Sequence, residues 1–400
     1  MLLPPKLSLK RPGVLVLLVG LAACSDTVVS AADESVGPTR LRLEPTPQVS
    51  FGGLDERPEY SFSLVSDGAF LDENKFVILD SQNRDFKVYS TAGEHVRTFG
   101  RQGDGPGEIA RLPTLLISSD GAIRMWDGLQ QRLSVFNDQG EHLESLRPLE
   151  GVDIRFAQVA GAFSDNQVVW KQPSQNRGAD EAPTGEYRDT TFHVARAVDG
   201  AADTLAWTLA PELVRTVVSG QTLSTRVFLG REGFAAVGGD RLIYGVSDEP
   251  LLRSKNQDGT EGPSFRWEME RAPVSAQEID SLRRQSEGPW RTRQESGGPQ
   301  LVEFATAQLS AIESAPSRET RPHFSAIHVN GEGGVLVQRA TNLFARTDEW
   351  VMFGRDGTLL GQFSTPREFT VLDFTRDRIL GYALDDLDLP TIQIRTLSGG

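Results

Sequence analysis

A chain of 400 residues that is 38% hydrophobic and 24% charged has the balance of a folded soluble protein, and its length allows one large domain or two to three ordinary ones. Its formal charge of −14 opposes a nucleic-acid groove or an anionic lipid face, so neither is expected as a partner. Gly 39 and Pro 22 supply many chain reversals without reaching low complexity, which favours β architecture.

In chain order, Lys6, Lys10 and Arg11 precede an apolar run from Val14 to Leu21 that ends in Leu21-Ala22-Ala23-Cys24. A basic start, a short apolar centre and small residues are the layout of an export signal. The run is about ten residues, roughly half of what a bilayer-spanning helix needs, so cleavage is expected rather than retention. The small pair running into Cys24 resembles a bacterial lipobox. That resemblance implies a signal peptide over 1–23, lipidation of Cys24, and a mature chain near −17 once three positive charges are gone. Ser25 rather than Asp follows, which resembles the default for outer-membrane sorting in Gram-negative lipoproteins. Cys24 is the sole cysteine, so neither a disulfide nor a cysteine-bound metal is expected in the mature body. Residues 24–37 are polar and read as a tether to a body spanning 38–400.

An internal repeat follows. Lys75 to Asp80, Phe86 to Tyr89 and Gly93-Glu94-His95 recur as Ala122 to Asp127, Leu133 to Phe136 and Gly140-Glu141-His142, always 47 residues apart. Each copy predicts strand, polar loop, strand, tight glycine turn and strand, and an antecedent strand such as Leu115 to Ile117 makes four. Looser copies carry Gln167 to Trp170 with His193 to Val198, then Arg241 to Val246 with Leu251 to Arg253, then Ala326 to Val329 through Trp350 to Phe353. The last copy, Phe369 to Phe374, Arg378 to Ala383 and Thr391 to Leu397, is one strand short. Arg40 to Leu43, or Gln48 to Phe51, could supply the missing strand and close a ring. Four-stranded units of this size bury their faces by radial stacking. The expected fold is therefore an all-β, six-bladed β-propeller with four-stranded blades, closed by an N-terminal strand.

Val77-Ile-Leu-Asp-Ser-Gln-Asn-Arg84, Phe86 to Tyr89, Gly93 and the linker Phe99 to Glu108 carry a resemblance to the NHL-repeat and TolB-like six-bladed propellers. It covers nearly the whole mature chain, with specific motifs in the first two blades and degenerate ones afterwards.

The widest gap between turn glycines, 259 to 357, predicts a helical insertion over 272–318 between blades four and five. Ser275-Ala-Gln-Glu278 is a capping box, Leu301 to Ile312 has helical spacing, and Gln285 to Pro299 reads as a mobile loop between two short helices.

Candidate site residues come from what the repeat does not explain. Gly100 to Glu108 is glycine-rich but lacks a P-loop ending and a following helix, so it reads first as an interblade connector. Arg101, Asp104, Glu108 and Arg111 are its exposed groups and are taken as ligand-facing. Asp80 with Arg84, and Asp127 with Arg132, recur and suggest loop-fixing bridges. His95 and His142 are repeat-equivalent, whereas His323 could serve as a ligand or general base. The six tryptophans fall mainly on strands and five are taken as packing between blades, whereas Trp290 in the insertion could cover a ligand. No HExxH or Gly-x-Ser-x-Gly motif is present, and Asp385-Asp386-Leu387-Asp388 lacks EF-hand spacing. No cofactor is expected, although calcium is harder to exclude.

Two functions fit. One is a monomeric, lipid-anchored outer-membrane binding or scaffold module for a protein, peptide or glycan. The other is a channel-sited enzyme, a calcium-assisted lactonase or a lyase, which would need oxygen ligands converging near Glu108, Asn166, His323 and Asp373.

Overall fold

The computed structural model describes residues 39–110, 113–117, 120–150, 158–174, 184–197 and 200–399. The signal, the tether and Cys24 lie outside these residues. No helix among them is long and apolar enough to cross a membrane.

The second strand of the first repeat, Lys75–Asp80, reads Phe-Val-Ile-Leu without alternation, and Phe76 through Asp80 are all buried. A continuous apolar run marks a strand covered on both faces. The outermost strand of the same unit, His95–Phe99, alternates half-buried and exposed because its side chains point in turn to a covered and an open face.

This unit is a four-stranded antiparallel sheet of Val65–Phe70, Lys75–Asp80, Asp85–Ser90 and His95–Phe99. The second sheet repeats it with Pro113–Ile117, Ile123–Asp127, Arg132–Phe136 and His142–Leu146. The 47-residue offset is kept in register: Tyr89 opposes His95 and Phe136 opposes His142. A third sheet contains Gln158–Ala162, Val168–Pro173, Thr190–Arg196 and Asp203–Leu209, and a fourth Gly233–Gly238, Arg241–Val246, Leu251–Asn256 and Phe265–Arg266. The fifth has Phe324–Val329, Val335–Arg339, Thr347–Phe353 and Leu359–Pro366.

The sixth takes Phe369–Phe374, Arg378–Leu384 and Pro390–Gly399 from the C-terminus and is completed from the N-terminus by Leu41–Leu43 and Val49–Gly52. Both segments proposed as alternatives are used. Leu41 opposes Gly399, and Val49 opposes Ile394. Pro45 and Pro47, which have no N–H to give, fall in the gap between them.

The core is divided into clusters shared by neighbouring sheets. Val77, Phe86, Leu115 and Met125 join the first sheet to the second, and Trp126, Leu133, Val168 and Trp170 join the second to the third. Phe163, Val169, Val237 and Leu242 link third and fourth, Ile243, Phe265, Val337 and Phe353 link fourth and fifth, and Leu336, Trp350, Phe374 and Leu397 link fifth and sixth. Phe76, Tyr89, Leu380 and Ile394 join the sixth back to the first. The first strands of all these sheets line one cavity of about 200 Å³. This is β-propeller architecture, with sheets stacked radially about a narrow channel.

Two features depart from the repeat. Gly185–Tyr187, Leu213–Val218 and Gln221–Arg226 form a separate three-stranded sheet that the repeat did not predict. Its hairpin turns at Ser219 and Gly220, both with positive φ (52° and 78°), the backbone of a two-residue primed turn. The insertion folds as α1, Ala276–Ser296, and α2, Pro299–Ser314. The loop expected over 285–299 is instead mostly helix. Arg284, Glu287, Arg291 and Arg293 favour helix, Glu287 pairs with Arg291 one turn on at 2.6 Å, and the break falls at Gly297-Gly298.

Ile394 is fully buried where the last strand meets both the N-terminal segment and the first sheet. Ile394→Ala is expected to cost about 2–5 kcal/mol, measured as a shift in the urea midpoint at constant slope.

Candidate functional site

The glycine-rich connector forms a small closed loop. Arg101 Nε donates to Glu108 Oε1 at 2.8 Å, and the Gly105 N–H donates to Glu108 Oε2 at 2.8 Å. These bonds, with Arg101 opposite, hold the Glu108 carboxyl below its ordinary value. A Cβ at Gly103 would sit 1.9 Å from Glu108 Oε2, so a side chain there would push the Glu108 carboxylate out of its present position. Arg132 donates to the carbonyls of Asp104 and Glu108, at 2.8 and 2.9 Å, and Gln130 donates to the Asp104 carboxylate. The bridges expected inside each repeat therefore take other partners. Asp80 accepts the N–H groups of Ser63, Leu64, Gln82 and Asn83 rather than pairing with Arg84, and Asp127 accepts those of Leu129 and Gln130. Of the connector's groups, Arg101 keeps a largely exposed side chain, 80% accessible. Arg111 lies outside the described residues.

The repeat-equivalent histidines behave alike. His95 Nε2 bonds Thr98 Oγ1 at 2.9 Å and His142 Nε2 bonds Ser145 Oγ at 2.8 Å. Each ring meets an aromatic edge-on, Tyr89 or Phe136, with centroids 5.6 Å apart.

The largest departure from the repeat forms a cleft. Ser275 caps α1 by accepting the Glu278 N–H, and α2 begins at Pro299, where a missing N–H costs nothing. Small residues on α2, Ala307 and Ala311, let it lie against Leu223 and Val218 of the small sheet. Ile279, Leu282 and Trp290 of α1 join Val214, Phe228 and Ile312 in a second cluster. A buried ion pair, Glu278 with Arg321, ties the base of α1 to the chain entering the fifth sheet, and Glu278 also accepts the Leu343 N–H at 2.9 Å. Between the helices, the edge of the small sheet and the ends of strands in the fifth sheet lies a cleft of about 690 Å³. Leu282, Trp290, Ile312, Phe228 and Phe324 give it apolar walls, and Arg226, Asp348 and Arg367 supply charge. The Trp290 ring meets Phe304 edge-on at 5.6 Å and carries the Arg293 guanidinium 4.5 Å above its centroid.

His323 sits between two cleft-lining residues, Pro322 and Phe324, yet its ring is engaged elsewhere. Arg271 Nε donates to its Nε2 at 3.1 Å, which places the proton on Nδ1, a buried atom without a partner. Burial, then the Arg271 and Arg231 guanidinium groups, push its pKa down. Four tryptophans, 126, 170, 267 and 350, pack between sheets as expected. Trp207 does not. It is 60% exposed on the outer strand of the third sheet, beside Tyr244 in a groove of about 530 Å³.

Within the channel, Asp67 and Asp373 each directly follow a bulge in the first strand of their sheets, the first and the sixth. Asp67 accepts the Leu115 N–H at 3.2 Å, and Asp373 accepts the Phe70 N–H at 2.8 Å, so each carboxylate reaches the first strand of the next sheet. Glu108, Asn166, His323 and Asp373 each belong to a separate network, Asn166 being held by Arg124 and Glu144. The four do not assemble a common oxygen set.

No protein-family model matches this chain, and no curated protein matches it. A member of the DUF4221 family from Bacteroides vulgatus superposes with a TM-score of 0.50 at 10% identity, over 91% of this chain and 100% of that one. A protein described as exported from Bacteroides fragilis gives 0.47 at 12% identity, covering 90% and 95%. Virginiamycin B lyase from Staphylococcus aureus gives 0.35 at 10%, covering 90% and 99%. The likeness is one of fold.

Burial raises the Asp67 and Asp373 carboxyls to about 7, against their backbone hydrogen bonds, and Asp67 adds repulsion on Asp373. The folded state therefore binds protons that the unfolded chain has released. Stability from these groups is greatest near pH 4 and falls as pH rises to 7, by at most about 1.4 kcal/mol per pH unit for each carboxylate. Asp67→Asn combined with Asp373→Asn is expected to flatten this decline in urea melts collected from pH 4 to 8.

Proposed function

We propose that this chain is a lipid-anchored envelope protein, a six-bladed propeller that binds a protein, peptide or glycan ligand in the cleft beneath α1 and α2. The cleft carries the reading. At about 690 Å³ it has the size of sites that enclose most of a small ligand, and its apolar walls hold a few charged groups, the usual composition of such sites. It is built from two departures from the repeat, the helical insertion and the small sheet, set on an otherwise regular ring. Insertions that a scaffold does not need for its own core are where binding residues gather. The six shared clusters, closed by the N-terminal strands, support the blade count. The run into Cys24 supports export and anchoring, with outer-membrane placement following from Ser25.

Both halves of the reading are open to measurement. Expressed in a Gram-negative host fed an alkyne fatty acid, the full chain is expected to become labelled and Cys24→Ser is expected to lose the label; an unlabelled wild type would exclude the anchor. Titration of the protein with peptides and oligosaccharides is expected to change tryptophan emission, and Trp290→Ala should weaken binding about tenfold or more in protein that still folds, with some lowering of the melting temperature from the packing lost against Phe228 and Ile312. A ligand indifferent to Trp290→Ala binds somewhere else.

A further inference from the structure

We infer that the ligand of this cleft is an extended peptide, which joins the small sheet as a fourth strand along Gln221–Arg226. The inference rests on the cleft being the binding site and adds the chemistry of what enters it.

The sheet order places Leu213–Val218 in the centre and leaves Gln221–Arg226 as an edge. Its pairing fixes which backbone groups are free. A two-residue primed turn makes Val218 and Gln221 a hydrogen-bonded pair, and the ladder then alternates. Thr216 with Leu223 and Val214 with Thr225 bond inward, and the Val227 N–H bonds the Glu212 carbonyl at 3.0 Å in the same phase. Thr222, Ser224 and Arg226 therefore turn their N–H and C=O groups to the open side. All three residues are exposed. Ser224 and Arg226 line the cleft, and so does Thr225, whose hydroxyl is buried without a partner.

The chain itself shows that this side accepts a strand. One step further on, the Phe228 N–H bonds the Pro316 carbonyl at 2.9 Å, the Arg318 N–H bonds the Phe228 carbonyl at 3.0 Å, and Phe228 forms a parallel bridge with Ser317. The segment leaving α2 thus occupies the same edge and stops where the cleft begins. A peptide laid along Thr222 to Arg226 would continue that pairing over about 13 Å, at ~3.3 Å per residue, meeting three donors and three acceptors. Its side chains would alternate, one set turning to Leu282, Trp290 and Ile312 and the other away from them. A glycan could stack on Trp290, but it lacks the regular amide alternation that the edge presents.

The test uses the full chain and a displayed library of octapeptides as probe. Enriched peptides are synthesised, and each backbone nitrogen is methylated in turn. Strand addition is expected to show as losses of about tenfold or more at every second position and little change between. Ser224→Pro in the protein should abolish binding where Ser224→Ala does not, and the methyl scan gives the answer with unaltered protein should the proline variant fail to fold. Failure to enrich any peptide, or losses without alternation, overturns the inference. If a bound peptide shows no alternation yet is lost on Trp290→Ala, the cleft stands and strand addition falls. If binding ignores Trp290→Ala, the cleft falls with it.

Discussion

The hydrogen bonds between the two ends of the described chain hold the rest in place. Each sheet has two faces to bury, and the apolar clusters lie between sheets, so no sheet completes its own core. The sixth sheet is finished only when Leu41–Leu43 and Val49–Gly52 align on Pro390–Gly399. Phe51 then reaches the aromatic group of Tyr60, Phe62, Phe76 and Tyr89, and joins closure to the core of the first sheet. Near the axis, Asp67 and Asp373 carry backbone-to-carboxylate bonds from one sheet to the next, and Asn330 does the same by donating to the Phe374 carbonyl at 3.0 Å. The regularity of the ring is therefore maintained at its inner rim by polar contacts and between sheets by apolar ones.

Upon that regular body, the small sheet and the two helices are added at one sector. The small sheet and the helices depend on each other: α2 covers the apolar residues of the sheet, and α1 covers Phe228 and Ile312. The Glu278–Arg321 pair is nearly inaccessible and satisfies a backbone N–H as well, the condition under which a buried pair is tolerated. The pair holds the start of α1 against the chain that enters the fifth sheet. The cleft is then a space set by rigid supports, with its strand edge left open.

The ring was legible because a continuous apolar second strand, a polar loop, a third strand and a glycine turn recur in that order in the first two units, and the pattern stays in register at Tyr89/His95 and Phe136/His142. The small sheet was not legible because its strands mix Thr, Ser, Arg and Val and interrupt the repeat rather than extend it. The turn at Ser219-Gly220, and glycine spacings near 60 where 47 was the rule, were the available signals. Helix α1 runs through Gln285 to Ser296, a segment whose Gly, Ser and charge predict a loop, because its charged helix-forming residues outweigh Gly288 and Pro289. The connector's charged groups, taken as ligand-facing, are conspicuous in sequence. Glu108 is engaged with the loop's own backbone and Arg101, a role that only coordinates reveal. Asp67 and Asp373 passed unnoticed as a pair because a bulge before each aims them inward, and a bulge leaves no residue signature.

Leu41 and Gly399 are paired residues, so the two strands that close the ring meet about one strand spacing apart, ~4.8 Å. A short joint across this seam, with a new opening at an uncrowded turn such as Gly259, would leave every inter-sheet cluster intact. The same adjacency makes the seam the natural place for the wheel to come apart: fraying of either end removes the neighbour of the other, and unfolding would start there and spread in both directions around the ring.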